Sequence, residues 1–345
     1  MSGASGGAFG GLFDSRTLAK MGVGFAISLL LVYLLGTAVG WERTLDQLAA
    51  ADPLWIAAGC LSTFLCLASW GRAWQIVLAV GGVEVPYRKL VVTYFAATFA
   101  NYVTPFGQAG GEPFIAYVLA RDTEADYEQS LASVVTADLL NLLPFFNFAA
   151  VGTAYLVVQT SLGDTETVGN LVLVLGLLAV SIPLLVWFGW RHRWAVEEVV
   201  VWLVRPVARF TGRVSVDGTR GRIERFYASL EDIASEPREL ARALGYSYVG
   251  WLFFTLPLVA ALRAVDATMR TLLVFFIVPA STIAGLVPTP GGLGAVEGAL
   301  TGLLVEIGEL PADTAFAVTT LYRVESFVFA LVVGGIAALW VTARV

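Results

Sequence analysis

The chain has 345 residues, 57% of them hydrophobic and only 14% charged, with a formal net charge of −6 and a mean hydropathy of +0.76. Several apolar runs reach the roughly 20 residues needed to span a bilayer. That composition marks a polytopic membrane protein and excludes both a soluble globular domain and a basic nucleic-acid-binding surface.

The opening stretch, MSGASGGAFGGLFDSR, is Gly/Ser-rich and reads as a loose tail without a cleavable signal peptide. Apolar segments then follow at about 20–40, 54–79, 90–120, 129–158, 168–190, 243–262, 271–304 and 315–342. Cys60 and Cys66 lie six apart in the second segment, which turns them to different helix faces and argues against a disulfide or a metal site. His192, the one histidine, stands between Arg191 and Arg193 at the end of a segment, a place for an interfacial side chain.

Arginine and lysine positions orient the segments. The loop Arg191–Arg242 holds ten of the 21 basic residues and is therefore cytoplasmic. The loop QTSLGDTETV, 159–168, has no basic residue and is external. Arg16 and Lys20 keep the N-terminus inside, and two crossings return the chain inside near Arg72, Arg88 and Lys89. Arg121 must then be inside as well, so segment 90–120 enters and leaves on one side. Its middle reads NYVTPFGQAGGEP from Asn101, with two prolines, three glycines and Glu112, each poor in a plain membrane helix. Non-helical backbone at membrane depth is tolerated only where it is buried in protein or lines a wet cavity. Segment 271–304 contains a similar break, LVPTPGGLGAVEG from Leu286. On this count 17 basic residues are inside, three (Arg43, Arg263, Arg270) are outside, and Arg323 lies within a span.

An offset of 185 places Thr104, Pro105, Gly107 and Glu112 on Thr289, Pro290, Gly292 and Glu297, and Asp138 on Arg323. Three crossings separate the two breaks, so the second copy is inverted, an arrangement typical of transporters. Chance recurrence of P-x-G strings in Gly-rich helices is the plainer alternative. The expected fold is all-α: one integral membrane domain over 1–345, with about six full spans and two re-entrant helical hairpins. Repeat 1 covers 86–160, repeat 2 covers 271–345, and 191–242 forms a cytoplasmic amphipathic loop. Trp194, Trp202, Phe210, Arg205 and Arg209 suit that loop to an anionic leaflet, and a solvated connector is the alternative.

Glu112, Asp138, Glu297, Arg323 and Glu325 fall inside apolar segments. Asp138 and Arg323 lie about 12–14 Å deep at 1.5 Å per residue, where each charge costs roughly 2.5–3.5 kcal/mol on insertion scales. Such groups pair or line a wet cavity. Arg323 either bridges to Asp138 or a Glu as a strut, or binds an anionic group with the helix N-termini after Pro105 and Pro290. Glu325, two residues on, is turned roughly 200° away from Arg323 and is not its partner. The five charges sum to −3, which fits a zwitterionic or cationic headgroup, or carboxyls partly protonated by burial. Asn101, Gln108 and Asn141 add neutral polar groups that bind substrate or satisfy broken backbone. No nucleotide-binding, zinc-protease or CxxC pattern is present, so no cofactor and no metal is expected.

The N-x-x-x-P-x-G-x-x-x-G-E string (Asn101 to Glu112), the P-x-P-G-G-L-G-x-x-E string (Pro288 to Glu297) and the Arg of LYRVES (Arg323) resemble the lysylphosphatidylglycerol-synthase transmembrane family, a flippase-like group, over nearly the whole chain. The first string departs from that pattern, with Gln108 where a basic residue is often found. The resemblance implies a lipid translocase in the cell membrane, working by alternating access on a polar-headed or polyprenyl-linked lipid, with both termini cytoplasmic. It implies no enzyme activity in the chain itself. The alternatives are the membrane subunit of an aminoacyl- or glycosyl-lipid enzyme and a small-solute or ion-coupled carrier. The implied partners are membrane lipids and a lipid substrate, with a second copy or a lipid-modifying enzyme as protein partner. The topology has a direct check: a Glu124→Cys variant is expected to resist an impermeant thiol reagent added outside the cell. Efficient external labelling there would mean that segment 90–120 crosses fully.

Overall fold

The computed structural model describes residues 15–103, 115–116, 118–120, 125–159, 187–211, 216–287 and 289–342, and scattered positions between 169 and 185. Every regular element among them is helical. The chain runs through α1 (Ser15–Val39), α2 (Trp41–Ala50), α3 (Pro53–Val80), α4 (Tyr87–Val103), α5 (Tyr127–Gln159), α6 (Arg193–Thr211), α7 (Val216–Ala234), α8 (Pro237–Ala264), α9 (Val274–Ile283), α10 (Ala295–Glu306), α11 (Ala312–Arg323), a π-helical turn Val324–Val328, and α12 (Phe329–Thr342).

Among the described residues, four helical runs are long and apolar enough to cross a membrane: Pro53–Val80, Tyr127–Tyr155, Pro237–Ala264 and Ala312–Val341. They leave large apolar side chains such as Leu54, Leu143, Leu252 and Leu339 exposed, as hydrocarbon solvent permits. Segment 20–40 was expected to end as a plain span. Instead α1 and α2 meet in a bend of 100° at Gly40, whose φ of 109° is open to glycine. The Trp41 ring folds back there, its Nε1 donating to the Tyr33 carbonyl at 3.3 Å and its edge resting on Phe316. Counting that bent pair as one span gives five.

The first apolar break, 104–114, lies outside the described residues; α4 ends just before it, and positions 115–116 and 118–120 are helical. The second break is described save for residue 288. Helix α9, extended by a 3-10 turn to Leu286, leads into it, and α10 leads out. The first arm, the helical run Thr271–Leu286 made of α9 and the 3-10 turns at its two ends, spans about 27 Å and α10 about 18 Å, at 1.5 Å per α-helical and 2.0 Å per 3-10 residue, both short of the ~30 Å hydrocarbon core. The two arms pack on each other. They close at the break because Gly292 abuts Gly285, where a Cβ would fall 2.9 Å from the Gly285 Cα.

The chain divides into two compact units, one of residues 1–68, 91–111 and 250–345, the other of 69–90 and 112–249. Within the first, the loops expected outside the membrane come together. Arg43 lies 3.9 Å from Asp313, the Asp52 amide donates to the Ala264 carbonyl at 2.9 Å, and Met269 packs at Gly308. Within the second, the expected cytoplasmic segments do the same. Gln129 donates to the Gly81 carbonyl, and α7 lies along α5, with Arg222 and Arg225 at 3.5 and 3.1 Å from Glu128. The stretch 191–242 is thus a pair of amphipathic helices, α6 and α7, tied by Arg220–Glu197 at 3.0 Å and, from the start of α6, Arg193–Glu231 at 2.9 Å. Trp194 and Trp202 are exposed on α6; the side chains of Arg205, Arg209 and Phe210 lie outside the described residues. His192 stacks against Phe188 with centroids 4.6 Å apart, and both cysteines are free thiols.

Backbone contact sets the packing of α12. A Cβ on Gly334 would sit 2.5 Å from the Phe95 carbonyl oxygen and 2.9 Å from the Phe99 Cβ. Gly334→Leu is therefore expected to destabilise the protein by about 1–3 kcal/mol or more through overpacking, seen as a lower melting temperature and poor recovery in detergent. Gly298→Ala, with nothing within 4 Å, should be neutral or gain about 0.5–1 kcal/mol from the helix interior. Equal behaviour of the two variants would remove the close α4–α12 approach.

Candidate functional site

The second break is built from three glycines in the left-handed region, Gly291 (φ 56°), Gly292 (φ 67°) and Gly294 (φ 87°). No β-carbon residue adopts that run cheaply. Proline at 290 starts the turn, and Thr289 closes it by donating its hydroxyl to the Leu293 carbonyl at 3.1 Å. Gly294 then becomes the N-cap of α10, and Glu297, at the third helical position, reaches back to accept the Gly294 amide at 2.5 Å. A carboxylate in the first turn also meets the positive end of the helix.

Arg323 completes the arrangement from the last turn of α11. Its Nε donates to Glu297 Oε1 at 2.6 Å, and an Nη2 hydrogen goes to the Gly291 carbonyl at 2.9 Å. Its guanidinium also lies 4.2 Å over the Phe327 ring, which packs in turn on Tyr102 with centroids 5.0 Å apart. The two charged side chains are 13% and 5% exposed, so this is a buried, charge-assisted pair. One carboxylate thus joins a guanidinium and a helix N-terminus, and one guanidinium joins that carboxylate to the backbone of the break. Nη1 of Arg323 has no bonded partner among the described residues.

The expected site residues are distributed as follows. Pro290, Gly292, Glu297 and Arg323 come together in this one cluster. The partner of Arg323 is Glu297, which settles the alternative left between Asp138 and a Glu. Asp138 instead accepts the Trp74 Nε1 hydrogen at 3.1 Å, and Asn141, one turn further along α5, accepts from the Ser247 hydroxyl. Both belong to the other compact unit. Asn101 lies in the last turn of α4 with its side-chain oxygen buried and without a partner among the described residues. Pro105, Gly107, Gln108 and Glu112 lie outside the described residues. Glu325 is apart from Arg323: it is fully buried in the π-helical turn and packs against Gly59 of α3.

Sequence reasoning missed Gly291, Gly294, Phe327, Tyr102 and Gly59. Phe327 had a signal, since it stands four residues after Arg323 and shares its helix face. Gly59 had none, because its contact is set by tertiary packing. Among the described residues no group of three or more His, Cys, Asp or Glu converges to hold a metal.

The chain is similar along most of its length to curated membrane proteins. It is 25% identical over 320 residues to a UPF0104 membrane protein of Methanothermobacter thermautotrophicus, covering 90% of each chain. It is 24% identical over 286 residues to another from the same organism, covering 82% of this chain and 84% of that one. A UPF0104 membrane protein of Pyrococcus horikoshii is 23% identical over 326 residues, with 91% and 95% covered. The apolar helices, the break that Arg323 fastens and a family-model match over residues 21–334 place this chain in the family of the lysylphosphatidylglycerol synthase TM region.

Proposed function

We propose that this protein is a lipid translocase that carries a polar-headed or polyprenyl-linked lipid across the cell membrane by alternating access. In this reading it has six spans and two re-entrant hairpins, with both termini in the cytoplasm. The observation that supports it is the break at 287–294. It is a glycine-rich, non-helical stretch between two apolar arms too short to cross, fastened by a buried Arg–Glu pair. Irregular backbone at membrane depth needs protein or a wet cavity beside it, and broken helices of this kind form substrate sites in transporters.

In this reading each side chain of the cluster has a part. Glu297 neutralises one edge of Arg323, so the guanidinium keeps Nη1 for a substrate phosphate while its own charge stays compensated when the site is empty. The amide row after Gly294 adds a helix N-terminus to the same place. Asn101, Asp138 and Asn141 line the path in this reading, as do Pro105, Gly107, Gln108 and Glu112 from the first break. The sequence puts Glu325 in that set as well, and its burial against Gly59 favours a different part. A second reading, favoured by the family's description, is a membrane subunit that serves a separate lipid-modifying enzyme. A translocase delivers its lipid unchanged, whereas that assembly delivers a modified one.

The test is translocation of fluorescent phosphatidylglycerol in vesicles of phosphatidylglycerol and phosphatidylethanolamine, with lipid extraction to check the product. Arg323→Ala alone strands Glu297 and should cost about 3–5 kcal/mol, together with all translocation. Arg323→Ala with Glu297→Gln leaves no stranded charge. It should recover the melting temperature and still move no lipid. Full translocation by the double variant would reduce Arg323 to a strut. A wild-type protein that moves neither this probe nor a polyprenyl phosphate would overturn the translocase reading.

A further inference from the structure

The carboxyl of Glu325 is 0% exposed, and neither of its oxygens has a hydrogen-bond partner among the described residues. It sits against Gly59 of α3, where any β-carbon would collide with Oε2, so only glycine leaves room for the group. The turn that carries it, Val324–Val328, is π-helical within an otherwise regular α11–α12 run. Such single-turn π insertions are frequent at functional sites.

The neighbours offer no counter-charge. Arg323, two residues earlier, is committed to Glu297 and the Gly291 carbonyl. The titratable groups on the parts of these helices nearest the turn are Cys60 and Cys66 on α3, Tyr102 on α4 and Tyr322 on α11; farther along, α3 also carries Arg72, α4 carries Tyr87, Arg88, Lys89 and Tyr94, and α11 carries Asp313. α12 contributes none, and neither does the stretch 289–294. The cations on α3 and α4, Arg72, Arg88 and Lys89, stand at least 13 residues along their helices from Gly59 and Tyr102, about 20 Å at 1.5 Å per residue. A metal ion would need several oxygen ligands, and Glu325 belongs to no ligand group among the described residues. A bare carboxylate buried without a partner is far costlier than its neutral form, so such a group neutralises. A leucine in its place would spare the fold an unbonded polar group, so packing does not account for the carboxyl.

We infer that Glu325 is a proton-binding site, protonated in this conformation, which deprotonates when the π-helical turn shifts and lets the carboxyl reach water. The step is balanced: the carboxylate takes one proton from water on one side of the membrane and returns it to water on the other, with no other bond made or broken. The proton-binding part stands on Glu325 alone. Its use as the driving force for transport rests on the translocase reading above.

Two measurements separate the parts. Infrared spectra of the full chain in lipid at neutral pH should contain the carbonyl stretch of a protonated carboxyl that disappears in Glu325→Gln. A wild-type spectrum without that band, or a band unchanged in the variant, overturns the proton site. Should Glu325→Gln not fold, Glu325→Met, which adds no unbonded polar group, supplies the same subtraction. In vesicles carrying fluorescent phosphatidylglycerol, an imposed pH gradient should speed wild-type translocation, and Glu325→Gln should keep only the gradient-independent rate. A variant that still responds to the gradient overturns the coupling. If wild type moves no lipid in any vesicle, the translocase reading and the coupling fall together, and the infrared band still decides the proton site.

Discussion

A guanidinium inside an apolar helix run must be compensated, and much of the second half of this chain is arranged around that requirement. Removing Arg323 from water costs more than any nearby apolar contact returns, so its donors have to be met. Glu297 meets one of them, the Gly291 carbonyl another, and the Phe327 face covers the cation. Each partner is available only because of the break. Gly291 exposes its carbonyl because the backbone there is left-handed, and Glu297 points back because Gly294 caps α10. The break and the pair are therefore one construction: α11 fastens a turn that the hairpin's own hydrogen bonds leave incomplete.

The same requirement separates the two buried glutamates of unit one. Glu297 has an arginine and a helix N-terminus, and both its oxygens are used. Glu325 has neither, though only one residue separates it from Arg323 in sequence. Helix geometry explains the difference. Two residues along a helix turn a side chain by roughly 200°, so one faces the break and the other faces α3. A single run through the membrane thus presents a compensated charge on one side and a carboxyl without a partner on the other. In the proposed reading a proton-coupled transporter needs one group to hold a charged substrate and another whose charge changes during the cycle, and these two positions suit those different demands.

Much of this was legible in the sequence. The apolar runs gave the helices, because in lipid the backbone must satisfy itself within each segment. The proline–glycine strings marked the breaks, because those residues cannot continue a helix at no cost. Arg323 and Glu297 stood out as intramembrane charges, and their pairing with each other was one of the open alternatives. The bend at Gly40 was not legible. One glycine at the end of an apolar run looks like any loop, and the turn depends on Trp41 finding the Tyr33 carbonyl and Phe316, 275 positions further along. Nor was the Gly59–Glu325 contact legible, since small residues advertise close approach without naming the neighbour.

The convergence of loops bears on topology through a different physical route from the charge count. Counting arginines assumes that basic residues stay inside, and Arg43, Arg263 and Arg270 were exceptions on that count. In the structure Arg43 lies beside Asp313, so the exception is partly neutralised where it stands. That pair is long and exposed on the arginine side, and an exposed pair contributes little stability. Its value is geometric. Loops around 40–53, 262–271 and 306–313 meet through three unrelated contacts, an ion pair, a backbone hydrogen bond and a methionine packed on glycine. Loops assigned to one side by charge are thus gathered at one end by packing. An odd number of crossings between any two of these loops would carry one of them to the opposite face.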